Sequence, residues 1–135
     1  MERLKERLAV AARAILRLQE AVQLPTPTDL ERDAIIQRFE FTFEAVWKAA
    51  QAYLFMVEGI DLASPKGVIR ACREIGLLDD TEALLALKMA DDRNLTVHTY
   101  NEPLAIAIYE RILKYHVLLA DWHRDMAERL EDSSF

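Results

Sequence analysis

Residues that punctuate a chain are scarce here: three glycines and four prolines in 135 residues. With so few breakers the elements must be long, which excludes a series of short strands and turns and favours helices. A single cysteine, Cys72, excludes an internal disulfide and points to a reducing, cytoplasmic setting. With no partner that suggests a nucleophile, Cys72 reads as a small core filler. No apolar run approaches the roughly 18 residues that a membrane span needs. Residues 1–7 form a charged helix start without the apolar centre of a signal peptide, so a cytoplasmic protein with no membrane contact is expected. A basic footprint is missing too. Lys and Arg number 17 against 23 Asp and Glu, a net charge of −6. Any contact with nucleic acid must then be local, or made with a partner's help.

What the chain does contain is a 52% hydrophobic share beside 30% charged residues, the balance of a folded globular protein. Its length suits one domain over residues 1–135. Helix one is expected over residues 2–23, because Leu4, Leu8, Ala11, Ile15, Leu18 and Val22 recur at alternating steps of four and three; Pro25 and Pro27 end it. Helix two follows, capped by Thr28 or Asp29, with a stripe of Ile35/Ile36, Phe39, Phe43, Val46/Trp47, Ala50, Tyr53/Leu54 and Val57. It should close at Gly59 and, at roughly 45 Å, be the longest element. Ser64-Pro65 opens a short helix that Gly76 ends. Asp79 or Asp80 caps a fourth, whose face includes Leu84, Leu85, Leu87 and Met89. A fifth begins near Asn101-Glu102-Pro103 and carries Leu104, Ile108, Ile112, Tyr115, Leu119, Trp122, Met126 and Leu130 in one apolar line; residues 131–135 should fray. The expected fold is all-α, an antiparallel four-helix bundle with an additional short helix.

One stretch is not explained by helix faces and caps: Arg93-Asn94-Leu95-Thr96-Val97-His98-Thr99-Tyr100. Arg forks onto phosphates, His moves protons near neutral pH, and Tyr carries a hydroxyl on a rigid ring. On a continuous helix Arg93 and His98 would stand about 140° apart around the axis. For these groups to act together the helix must end or distort between Asn94 and Tyr100. The β-branched pair Thr96-Val97 and a following N-cap at Asn101 are compatible with a helix-to-helix corner. The residues equally allow a packing role, with Arg93 paired to Asp91 or a neighbouring Glu, His98 bonded to a carbonyl and Tyr100 at the core edge.

Other polar groupings are weaker. Lys66, Arg70 and Arg73 share a face of the short helix near its N-terminus, either a solvated stripe or an accessory phosphate contact. Glu44 and Lys48 have the favourable i, i+4 order of a surface pair, with Glu40 one turn earlier. His116 and His123 share a face of helix five beside Asp121 and Asp125. These four could be drawn as ligands, but a metal site there is not the expectation; the helix-two carboxylates lack a His companion at suitable spacing, and no metal and no cofactor are expected. Phe41, Trp47, Tyr53, Tyr109 and Trp122 fall at helical spacing and read as core or interface rather than base-stacking platforms.

Arg, four residues, His, one residue, Tyr resembles the signature of the HEPN (higher eukaryotes and prokaryotes nucleotide-binding) superfamily. The similarity continues through Phe39-Glu40-Phe41-Thr42-Phe43-Glu44, Trp47-Lys48, Ser64-Pro65, Asp92-Arg93-Asn94 and His98-Thr99-Tyr100. In that order, over nearly the whole chain, these resemble the nucleotidyltransferase substrate-binding protein family. The resemblance implies a four- or five-helix bundle that forms homodimers, with the Arg and His motifs of both subunits facing a shared cleft. It implies a small nucleotidyltransferase as partner in a toxin–antitoxin-like pair, the bundle serving as the nucleotide- or substrate-binding subunit. Related HEPN toxins are metal-independent ribonucleases, silenced when the partner adenylylates the motif tyrosine, here Tyr100. As a ribonuclease, His98 would be base or acid, Arg93 would stabilise the phosphorane oxygens, and Asn94 would orient His98 or the phosphate. As a binding subunit, Arg93, Asn94, His98 and Tyr100 would hold nucleotide or RNA without cleaving it. The match raises a cleft role for Glu40 and Glu44.

Overall fold

The computed structural model describes residues 1–132. Five α-helices carry the chain: α1 Glu2–Val22, α2 Asp29–Tyr53, α3 Pro65–Glu74, α4 Asp80–Leu95 and α5 Glu102–Asp132. A π-helical turn, Leu54–Glu58, extends α2, and a 3-10 turn, Thr96–His98, follows α4. Among the described residues no strand forms, and no helix is long and apolar enough to cross a membrane.

Local chemistry sets the ends. Thr28 caps α2 with a reciprocal box: its hydroxyl accepts the Glu31 N–H at 3.1 Å, and the Glu31 carboxylate accepts the Thr28 N–H at 2.9 Å. Asp79 and Glu82 repeat the device on α4 at 2.7 and 3.0 Å. Ser64 caps α3 by accepting the Gly67 N–H at 3.1 Å, with Pro65 in the first turn. Gly59 ends the α2 extension at φ 70° and Gly76 follows α3 at φ 79°, a left-handed region that side chains disfavour.

Cross-helix bonds give the directions. Thr42 Oγ1 donates to the Ala14 carbonyl at 3.2 Å and Arg38 Nη1 to the Arg17 carbonyl at 2.8 Å, so α1 and α2 are antiparallel. After α2 the linker doubles back, and Gln51 Nε2 holds the Leu62 carbonyl at 2.7 Å. α3 therefore starts high on α2 and forms an antiparallel hairpin with α4, its Lys66 meeting Asp91 and its Arg73 meeting Asp80. α5 returns beside α4: Arg111 meets Asp92 near one end, and Arg129 donates to the Ile75 carbonyl at 2.7 Å near the other. The result is the antiparallel bundle of α1, α2, α4 and α5, with the short α3 laid alongside α4.

Phe39, Phe43, Tyr53, Tyr115 and Trp122 are fully buried at the centre, and the Phe39 ring lies 5.6 Å from that of Tyr115. Cys72 is buried as a core filler, and burial pushes its thiol up to about 12. Three expectations need correction. The longest helix is α5, with 31 residues, because its apolar line runs uninterrupted while α2 changes to a π turn at Leu54. The buried face of α4 is made by Ala83, Ala86, Met89 and Ala90, and Leu84 is 71% exposed, since small residues let α4 approach its neighbours closely. α5 remains helical through Asp132; residues 133–135 of the expected fraying tail lie outside the described residues. Truncating Phe39 to Ala should cost about 3–5 kcal/mol, read as a lower urea midpoint at unchanged slope.

Candidate functional site

The helix breaks where the sequence requires a break. α4 stops at Leu95, and threonine hydroxyls bond the carbonyls of the turn: Thr96 Oγ1 donates to the Arg93 carbonyl at 2.7 Å, beside the Thr96 N–H, and Thr99 Oγ1 donates to the Thr96 carbonyl at 3.1 Å. After the 3-10 turn the Asn101 N–H bonds the His98 carbonyl at 3.0 Å, and Asn101 Oδ1 accepts the Leu104 N–H at 3.2 Å to start α5. Asn101 is thus the expected N-cap, and the stretch 93–100 is a corner.

At this corner His98 Nδ1 lies 3.3 Å from the Tyr100 hydroxyl, with the two rings edge to face at 5.8 Å. Both side chains are exposed, Tyr100 to 84%, so Tyr100 is no core edge and His98 bonds a phenol rather than a carbonyl. If the phenol donates to Nδ1, Nε2 carries the imidazole proton and points it away from the tyrosine. Asn94 is exposed as well.

Arg93 is placed differently. Its Nε sits 3.7 Å from Glu44 Oε1 on α2, too long for a hydrogen bond, and that nitrogen is buried without a hydrogen-bond partner. The other Glu44 oxygen accepts the Trp47 indole N–H at 3.2 Å. Glu44 therefore turns toward α4 instead of pairing with Lys48 along the helix surface. The neighbouring-Glu alternative for Arg93 is the arrangement found, while Asp91 is held by Lys66 Nζ at 2.6 Å. Among the described residues no hydrogen bond joins Arg93 to His98.

The cationic face of α3 is largely neutralised. Lys66 pairs with Asp91 and Arg73 Nε with Asp80 Oδ1 at 2.9 Å, which leaves Arg70 exposed between them. On α5, His123 Nε2 donates to the Leu8 carbonyl at 2.9 Å and ties that helix to α1. His116 is partly buried with Nδ1 unpartnered, and burial pulls its pKa down. Among the described residues no group of three or more His, Cys, Asp or Glu side chains is placed to share a metal ion. Trp47, Tyr53 and Trp122 are core, but Phe41 is 65% exposed.

The group that sequence reasoning missed is Asp92. Its carboxylate is 3% exposed and accepts a fork from Arg111, Nε to Oδ2 at 2.6 Å and Nη2 to Oδ1 at 2.8 Å, while Tyr115 donates its hydroxyl to Oδ2 at 2.5 Å. Asp92, which enters the sequence reading only as a neighbour of Arg93 in the family resemblance, points inward. The available signal was its register, three residues beyond Met89 on the buried face, opposite an Arg and a Tyr spaced i, i+4 on α5. Burial first, then the bond and charge of Asp92, push the Tyr115 hydroxyl above its ordinary value.

The chain belongs to the family of proteins described as nucleotidyltransferase substrate binding protein like, which matches residues 6–128. Among solved structures it is similar to a protein from Thermus thermophilus, 58% identical with a TM-score of 0.84, over 86% of this chain and 98% of that one. A Haemophilus influenzae structure described as the substrate binding domain of a nucleotidyltransferase shares the fold at 24% identity and a TM-score of 0.78, over 89% of this chain and 98% of that one. A curated Haemophilus influenzae protein named probable ribonuclease HepT is 32% identical over 81 residues, 57% of this chain. That match spans about half of the relative's length, 54%.

Two outcomes are expected from the buried cluster. Asp92→Asn should lose about 1.5–3 kcal/mol, because Arg111 keeps its charge without its counterion; chemical denaturation reads this. Tyr115 ionises more readily in the unfolded chain, near its ordinary value of about 10. Its contribution is therefore complete below that pH and is lost as pH rises beyond it. Tyr115→Phe should flatten the fall of stability above about pH 10, measured as denaturation midpoints of both proteins across that range.

Proposed function

We propose that this chain is the substrate-binding subunit of a two-component, toxin–antitoxin-like module, working with a small nucleotidyltransferase and presenting nucleotide or RNA at the corner of Arg93, Asn94, His98 and Tyr100. The observation that carries the reading is the exposed His98–Tyr100 pair, 3.3 Å apart on a turn held by two threonines and an asparagine cap. A bundle built only for packing has no need to hold an imidazole and a phenol together in solvent. Family membership supports the partner. Tyr100 is the acceptor of AMP, its oxygen attacking the α-phosphorus of ATP bound by the partner and displacing pyrophosphate, with His98 receiving the phenolic proton. Arg93, steadied by Glu44, steers phosphate to the corner with the guanidinium nitrogens other than Nε. Lys66, Arg70 and Arg73 are at most accessory, two of them being engaged by Asp91 and Asp80. A homodimer with paired corners fits the exposed Ile106, Leu113 and Val117 on one face of α5.

The similarity to a protein named probable ribonuclease favours a second reading, metal-independent cleavage of RNA with His98 as base or acid and Arg93 at the phosphorane. The test has two arms. Mixed with its nucleotidyltransferase and ATP, the protein should gain the mass of AMP at Tyr100, and Tyr100→Phe should not; an unchanged mass together with no complex ends the first reading. Incubated with RNA in EDTA, cleavage that falls about 100-fold or more in Arg93→Ala and in His98→Ala would establish the second. Intact RNA with the unmodified protein would remove it.

A further inference from the structure

Between α1 and α2, away from the corner, lies an open groove of about 550 Å³ lined by Val10, Arg13, Arg17, Arg38 and Phe41 among others. Arg13 and Arg17 are exposed one turn apart on α1, and Arg38 reaches across from α2 to bond the Arg17 carbonyl at 2.8 Å. Among the described residues no carboxylate pairs with any of the three. In a chain with six more acids than bases, that is an uneven distribution of charge. Like charges at i, i+4 repel, so this arrangement favours an anion from outside. Phe41, 65% exposed, stands beside them with its ring open to solvent. Toward the start of α1 the lining mixes Glu2 and Glu6 with Arg3 and Arg7, and toward the α1–α2 turn it includes Glu20 and Glu31. The stretch free of carboxylates is therefore short.

We infer that this groove binds a short single-stranded segment of RNA, its phosphates on Arg13, Arg17 and Arg38 and one base stacked on Phe41. Guanidiniums fork onto phosphate oxygens, and an exposed ring accepts any base by its face, the combination that holds single strands without reading their sequence. The stretch without carboxylates spans three guanidiniums, which suits a segment of a few nucleotides rather than a broad acidic protein surface. Phe41 is three residues before Glu44, about 60° around α2 from the carboxylate that meets Arg93. A strand in the groove thus runs along the helix whose Glu44 meets Arg93. The inference needs no chemistry at that corner.

The test is fluorescence anisotropy of a short labelled single-stranded RNA with the full chain. Three phosphate contacts predict a slope of log affinity against log salt of about −2, an affinity loss of about fifteenfold from 50 to 200 mM salt. Arg13→Ala/Arg17→Ala should reduce that slope by about 1.4, and Phe41→Leu should weaken binding about fivefold or more with the slope intact. Both variants alter exposed side chains, and unchanged circular dichroism and melting confirm that they fold. Mixed with the nucleotidyltransferase and ATP, the Arg13→Ala/Arg17→Ala and Phe41→Leu variants should still gain the mass of AMP at Tyr100, so failure at the corner and failure in the groove give different results. Unchanged affinity in the Arg13/Arg17 or Phe41 variants would overturn the inference. So would equal binding of a poly-glutamate peptide, or ATP binding without RNA binding.

Discussion

A carboxylate taken out of water must have its oxygens occupied, or the cost of burial falls on the whole fold. Asp92 satisfies this by accepting two bonds from Arg111 and one from Tyr115, all on α5. The bidentate fork fixes direction as well as distance, so the last turn of α4 is locked against α5 before the chain reverses between them. Tyr115 carries the constraint into the centre of the bundle, where its ring stacks on Phe39 of α2. Everything at the corner is placed by this anchor, because Arg93 is the next residue and His98 closes the single 3-10 turn after α4.

The corner joins two opposite demands. Arg93 is drawn toward α2 by Glu44, and His98 and Tyr100 are turned out to water by a helix end whose carbonyls are satisfied locally. A rigid support below and an exposed pair above are what a binding or transfer site needs: the backbone does not move while the reacting groups stay accessible.

Much of the fold was legible because its signals are local. Heptad-like spacing on α1 and α5, the Thr28 cap (one of the two candidates), the Ser64-Pro65 start and the Gly59 end each act within a few residues, and each is found in the fold. The corner was legible as well, since Thr96 and Asn101 are chemically suited to end one helix and begin another. What was misread depends on partners distant in sequence. Leu84 has the side chain of a core residue, yet the packed side of α4 belongs to alanines that permit a close approach. Glu44 has an adjacent Lys48 on its own helix, yet the folded chain brings Arg93 to it instead. Phe41 lies at helical spacing with buried neighbours, yet it falls on the rim of the groove.

The sequence by itself determined that this chain is helical, where most of its helices begin and end, and that an arginine, a histidine and a tyrosine gather at one helix-to-helix corner. These follow from propensity, capping and periodicity, which operate over one or two turns. Only the tertiary structure decided which of two adjacent aspartates is buried, which carboxylate meets Arg93, and which cations are left without a partner. Those outcomes are set by residues tens of positions apart, and the physical reason is desolvation: a charge's role depends on what the fold places beside it once water is removed.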